Sequence, residues 1–168
     1  MRAWIGGALL IISLGAATAS AATGPTVKSV SSEALATKVV VDGAGRTLYR
    51  FTLDRAKSIK CTGGCAKAWP PVIVARGTKP VAGKGIAQAR LGTVTRTDGR
   101  LQLTYYGLPL YRYAGDKRAG DITGQGVGGN WFAVAPSGRL VKTTPTPSAP
   151  GDPTTPTPTP TAPTDPTY

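Results

Sequence analysis

The stretch Leu48-Tyr49-Arg50-Phe51-Thr52-Leu53-Asp54 returns 62 residues later as Leu110-Tyr111-Arg112-Tyr113-Ala114-Gly115-Asp116. Each copy is followed by a tryptophan at the same offset, Trp69 in the first and Trp131 in the second. Agreement at several informative positions in one register, without a gap, predicts an internal duplication.

Alternation with a period of two predicts that the first copy is a strand. It places Tyr49 and Phe51 on one face, with Leu53 continuing that face and Asp54 ending the strand. Turn residues at Asp42-Gly43-Ala44-Gly45 predict that this strand forms a hairpin with the preceding β-branched run.

Short strands separated by turn residues continue through the second half of the chain, which also predicts a β fold. We therefore expect an all-β domain, a duplicated antiparallel β-sandwich or barrel built from two similar halves. The halves cover about residues 38–76 and 90–141, joined by a Gly- and Lys-rich linker at 76–89.

Both ends of the chain differ in composition from the middle. Residues 1–22 have a short positive start, an apolar run and small residues, which predicts a secretory signal peptide. Residues 23–33 are expected to be an unstructured lead-in, and residues 34–142 the duplicated β-domain. Residues 143–168 hold nine of the 15 prolines, which predicts a disordered Pro/Thr-rich tail.

The predicted domain is strongly basic. Residues 23–142 contain 19 Lys/Arg and 6 Asp/Glu, an excess of 13 positive charges. Such a surface favours polyanionic partners such as anionic cell-wall polymers or acidic glycans, although solubility alone could also explain it. The candidate polyanion-binding residues are Arg55, Lys57, Lys60, Lys67, Lys117 and Arg118.

The chain has two cysteines, Cys61 and Cys65, and no histidine. In an exported protein this pair is expected to form a disulfide, which the Gly63-Gly64 turn makes easy. A redox or metal-handling role stays open, because Lys60 and Lys67 would lower a thiol pKa. The spacing matches no standard metal motif, and we predict no metal and no cofactor.

The repeated motif allows two interpretations. In one, each copy forms a pocket that offers a phenol hydroxyl and a carboxylate, and the tryptophans stack sugars. In the other, the aromatic residues form the core and each aspartate caps a turn by accepting backbone N–H bonds. The motif residues are Tyr49, Phe51, Asp54, Trp69, Tyr111, Tyr113, Asp116 and Trp131.

Three segments carry a resemblance to a known family. They are the Tyr-x-aromatic-x-x-Asp element, the run from Cys61 to Pro71, and the run from Asp98 to Tyr111. Together they resemble the bacterial "secreted repeat of unknown function" family of lipoproteins and secreted proteins, over about residues 38–136. The resemblance implies an extracytoplasmic role without a settled activity. No cysteine stands directly after the apolar run, so the chain departs from the family's lipid-anchored members.

These observations predict a secreted, non-catalytic module of the cell envelope that binds anionic envelope polymers. The first alternative is an extracytoplasmic redox or metal-handling protein that uses Cys61 and Cys65. The second is a carboxylate-dependent hydrolase, which would have to work without histidine and would require Asp54 and Asp116 to face a shared cleft. We predict no specific nucleic-acid partner, and no membrane span once the signal peptide is removed.

Overall fold

The computed structural model describes residues 24–146. The predicted signal peptide and residues 147–168 of the predicted tail lie outside this range. The strands are β1 Thr26–Ser32, β2 Thr37–Asp42, β3 Tyr49–Phe51, β4 Ile73–Val74, β5 Val81–Ala82, β6 Leu91–Thr95, β7 Leu101–Tyr105, β8 Leu108–Pro109 and β9 Trp131–Ala133. One short helix, α1 Gly63–Ala68, and two single-turn 3-10 helices, Gln88–Arg90 and Val127–Gly129, complete this part of the chain. The all-β prediction is confirmed.

The strands form three sheets in the described region. The first has the order β2-β1-β5, the second pairs β3 with β9, and the third has the order β4-β7-β6 with β8 also paired to β7. All of these pairs are antiparallel except β1 with β5, which is parallel. No helix among residues 24–146 is long and apolar enough to cross a membrane.

The predicted unstructured lead-in at 23–33 is wrong, because most of it is β1. This strand pairs with β2 over six residues, from Val27 opposite Asp42 to Ser32 opposite Thr37. Polar residues at five of its seven positions hide the strand pattern, although Val27 is fully buried. It precedes β2 as β6 precedes β7 in the second half, and each pair of strands is antiparallel.

The predicted hairpin around Asp42 is present but short. Val41 forms a bridge with Thr47, and the N–H of Leu48 donates to the carbonyl of Val40 at 2.9 Å. The chain then leaves β2, and β3 pairs with β9 from the other half. The strand ends at Phe51, so the expectation that Leu53 continues the buried face is wrong; Leu53 is 52% exposed.

Strands of each copy of the repeat pair with strands of the other copy. The N–H of Thr52 donates to the carbonyl of Asn130 at 2.9 Å, and the equivalent N–H of Ala114 donates to Ala68 at 2.8 Å. Tyr49 and Tyr111 lie opposite each other and exchange two backbone hydrogen bonds, of 2.9 and 3.0 Å. An approximate twofold axis therefore passes between these residues and relates the halves.

The linker and the start of the predicted tail both contribute to the domain. Within the linker, β5 pairs with β1. At the other end, the N–H of Thr146 donates to the carbonyl of Ala34 at 2.9 Å. The tail boundary at residue 143 is therefore wrong, because residues 143–146 still contact the domain.

Adjacent residues of each repeat enter two different cores. Tyr49 and Tyr111 lie in an aromatic cluster with both tryptophans, whereas Leu48 and Leu110 lie in an aliphatic cluster of valines, leucines and Tyr105. Since successive side chains of a strand point to opposite faces, the central strands separate the two clusters. The repeat motif thus faces the aromatic side.

Candidate functional site

The tyrosines and aspartates of the repeat form reciprocal hydrogen bonds between the halves. The Tyr49 hydroxyl donates to Oδ2 of Asp116 at 2.6 Å, and the Tyr111 hydroxyl donates to Oδ2 of Asp54 at 2.5 Å. Both carboxylates are buried, with 4% and 5% of their residue surface exposed. Each half therefore supplies the acceptor for the other half's buried hydroxyl.

The remaining oxygen of each carboxylate caps the turn that follows it. Oδ1 of Asp54 accepts the backbone N–H of Lys60 at 2.7 Å. Oδ1 of Asp116 accepts both the backbone N–H and the hydroxyl of Thr123, at 2.9 and 2.6 Å. Every carboxylate oxygen thus bonds to the protein. This geometry favours the structural interpretation of the motif, since a hydrolase would need accessible carboxylates.

Four of the six aromatic rings of the motif form one stack across the axis. Trp69 and Trp131 are parallel with centroids 3.8 Å apart. Phe51 stacks on Trp131 at 4.5 Å, and Tyr113, its equivalent in the other half, lies 4.4 Å from Trp69. Both tryptophans are 5% exposed, so they belong to the core rather than to a sugar-stacking surface.

Burial determines how these groups titrate. Desolvation, reinforced by the Asp116 carboxylate, raises the pKa of Tyr49 far above its ordinary value. Desolvation and the bond to Asp54 raise the pKa of Tyr111 as well. Desolvation also raises the pKa of Asp116, although the bonds from Thr123 and Tyr49 oppose the shift. The tyrosines therefore stay protonated donors at any physiological pH.

The raised pKa of Asp116 predicts a stability that declines as pH rises. Between its ordinary value of 3.8 and its folded pKa, the folded state binds more protons than the unfolded state. The free energy of unfolding contributed by this group is thus largest below pH 3.8 and is lost as pH rises through the folded pKa. Urea denaturation across this window should show the wild-type protein losing stability relative to Asp116→Asn.

The exposed Asp98 supplies a control of opposite sign. Its hydrogen bonds with Arg100 lower its pKa, so its contribution to stability is lost as pH falls. Wild type should therefore gain stability relative to Asp98→Asn as pH rises. The stability of the wild type relative to Asp116→Asn and relative to Asp98→Asn should therefore change in opposite directions as pH rises. If both change in the same direction, the raised pKa of Asp116 is wrong.

Cys61 and Cys65 form the predicted disulfide, with Cα atoms 5.2 Å apart. Cys61 is fully buried in the aromatic cluster, and Cys65 lies on α1. Residues 66–68 complete this helix. Among residues 24–146, no three His, Cys, Asp or Glu side chains are grouped so as to hold a metal ion.

The sequence did not single out Arg96 and Gln102, which hold the disulfide loop against the second half. Arg96 is 5% exposed; its guanidinium donates to Gln102 Oε1 at 2.5 Å and to the carbonyl of Cys61 at 2.8 Å. Gln102 in turn donates to the carbonyl of Leu110. The sequence carries no signal for this pair, because Gln102 alternates with Leu101 and Leu103 and so occupies the polar face of the strand pattern.

Five of the six candidate basic residues come from two loops that begin on the same face of the central strands. Side chains directly opposite in an antiparallel pair project to the same face, and Tyr49 and Tyr111 are such a pair. Their acceptors, Asp116 and Asp54, therefore begin two loops on that face. These loops carry the exposed residues Arg55, Lys57, Lys60, Lys117 and Arg118. The sixth candidate, Lys67, is exposed on α1, which leads directly into the aromatic stack.

Arg55 and Lys117 make equivalent structural contacts in the two halves. The Arg55 guanidinium donates to the carbonyl of Thr52 at 2.9 Å, and the Lys117 ammonium donates to the equivalent carbonyl of Ala114 at 2.5 Å. A cation therefore covers the same turn carbonyl in each half. Lys57, Lys60 and Lys67 are exposed and have no such contact in the described part of the chain.

The comparisons with known proteins agree with this duplicated architecture. A family model described as "secreted repeat of unknown function" matches residues 37–73 and 92–135. Searches of curated proteins and of solved structures found no match. The two matched segments contain the two Tyr–Asp motifs and both tryptophans. The chain therefore carries two matches to the family of the secreted repeat of unknown function, one in each of its halves.

Proposed function

We propose that the protein is a secreted, non-catalytic module that binds anionic polymers of the cell envelope. The family is described as secreted, which supports an extracytoplasmic location. The observation that carries the proposal is the distribution of charge. Residues 24–146 contain 19 Lys/Arg and 6 Asp/Glu, and most of the acidic groups are engaged within the protein.

Most of the acidic side chains are buried or already bonded within the protein, which explains why the surface is basic. Asp42, Asp54 and Asp116 are buried. Asp98 pairs with Arg100 at 2.7 Å, and Asp121 accepts the backbone N–H groups of Lys117 and Arg118 at 2.7 Å. Glu33 is exposed. The field that an approaching polymer meets is therefore dominated by lysine and arginine, which favours binding through the release of counterions.

Exposed lysines in the loop after Asp54 and on α1 give the proposal a location. Lysine near an anionic surface contributes on the order of 1 kcal/mol, so replacing Lys57, Lys60 and Lys67 together by Gln should weaken binding about tenfold or more. Binding to polygalacturonate and to polyphosphate would be measured at low and high salt, with dextran as the neutral control.

The matched control replaces three exposed lysines from other segments, Lys38, Lys79 and Lys84, and removes the same net charge. Binding that falls steeply with salt, and falls further in the loop variant than in the control, supports the proposal. Binding that is absent, or insensitive to salt, would overturn it.

A further inference from the structure

The turn between β7 and β8 places an aromatic residue in a conformation that such residues avoid. Its two central residues are Tyr106, with φ of 50°, and Gly107, with φ of 74°. Two-residue turns with positive φ at both positions favour Asn-Gly, Asp-Gly or Gly-Gly, because bulky side chains are strained there. Strain of this kind persists where the surroundings impose it, and it often accompanies a functional site.

The ring of Tyr106 is held in place although 40% of the residue is exposed. It meets the Tyr105 ring edge to face, with centroids 4.8 Å apart. It also packs on Gly138, where an added Cβ would lie 2.4 Å from the ring. The carbonyl of Gly138 is fixed by the Arg50 guanidinium at 2.7 Å. The aromatic ring therefore occupies a defined position on the surface.

Arg90 lies over this ring. Its guanidinium carbon is 4.9 Å from the ring centroid of Tyr106, and its backbone carbonyl accepts the Tyr106 N–H at 2.9 Å. Within residues 24–146 the Arg90 guanidinium has no hydrogen bond or ion pair, whereas those of Arg50, Arg76 and Arg96 each donate to a protein oxygen. Arg90 is thus oriented by a ring while its N–H donors stay available to a ligand.

We propose that Arg90 and Tyr106 form an oxyanion-recognition site, which binds a carboxylate or phosphate group of an anionic polymer. The inference rests on the proposed function and assigns it a specific contact. A guanidinium presents two parallel N–H donors to such a group, and stacking on Tyr106 reduces the entropy lost when the ligand binds. The strained tyrosine is retained because it orients this arginine, at some expense in stability.

Two substitutions separate this role from general charge and from folding. Tyr106→Asn introduces the residue that the turn favours, so its melting temperature should equal or exceed that of the wild type. Arg90→Lys keeps the charge but loses the planar donor pair. Each variant should bind about tenfold more weakly, the size expected for a lost charge-assisted hydrogen bond. Arg139→Lys, the same change at another exposed arginine, is the matched control.

Calorimetric titration with polygalacturonate and with polyphosphate, at low and high salt, tests the site. Weaker binding by Tyr106→Asn and by Arg90→Lys, with an unchanged salt dependence, supports the site. The polymer whose affinity falls more in these variants identifies the bound group as carboxylate or phosphate. If Tyr106→Asn and Arg90→Lys both bind as tightly as the wild type and the Arg139→Lys control, the site is overturned and the proposed function is left intact. A wild type that binds neither polymer would overturn the proposed function and the site together.

Discussion

Residues 24–87 and 88–146, produced as two separate chains, are expected to be unfolded alone and to form one folded complex when mixed. Each half keeps its own hairpin, but β3 finds its partner only in β9 of the other half. Separation also leaves Tyr49 and Tyr111 without the carboxylates that accept their hydroxyl hydrogens. The whole stability of a domain of this size, about 5–15 kcal/mol, should be lost.

The measurement is near-ultraviolet circular dichroism, which reports the fixed aromatic stack, during titration of one half with the other. The intact 24–146 chain, taken through the same protocol, provides the reference signal. A cooperative thermal transition in either isolated half would contradict the expectation. The cut at residue 87 keeps β5 with β1, so that each half retains its local pairs.

The duplication could be predicted from sequence, but the exchange of strands could not. The offset of 62 residues shows which positions are equivalent. It would be the same if the strands of each half paired with each other or with strands of the other half. Alternation identified Tyr49 and Phe51 as sharing a face, yet it carries no information about which strand lies beside them. The same limit explains β1, whose polar residues obscured a strand that its pairing with β2 makes plain.

The candidate site was also only partly predictable. The aspartates were expected to cap their turns, and the bonds to Lys60 and Thr123 agree with that expectation. The tyrosine donors come from the opposite half, which no local pattern indicates. Tyr106 directly follows the alternating run of β7, and only the bulky residue before Gly107 indicates that the chain forms a strained turn there.

Replacing Trp131 by alanine should destabilise the domain by about 3–5 kcal/mol, the usual cost of removing a buried tryptophan. The ring contacts Phe51 and Trp69 by stacking and Tyr111 edge to face at 5.2 Å, so its loss opens the centre of the stack. The melting temperature should fall by more than about 10 °C. Because Trp69 is its equivalent across the axis, Trp69→Ala should behave alike.

Phe132→Ala is the matched control, since this half-buried neighbour projects from the opposite face of β9. Its effect on the melting temperature should be clearly smaller. The comparison also separates a core role from sugar binding. A tryptophan that served mainly to stack a ligand would lose affinity on substitution while the melting temperature stayed near that of the wild type. That outcome for Trp131→Ala would overturn its place in the core, because a residue 5% exposed cannot be removed without exposing its partners to water.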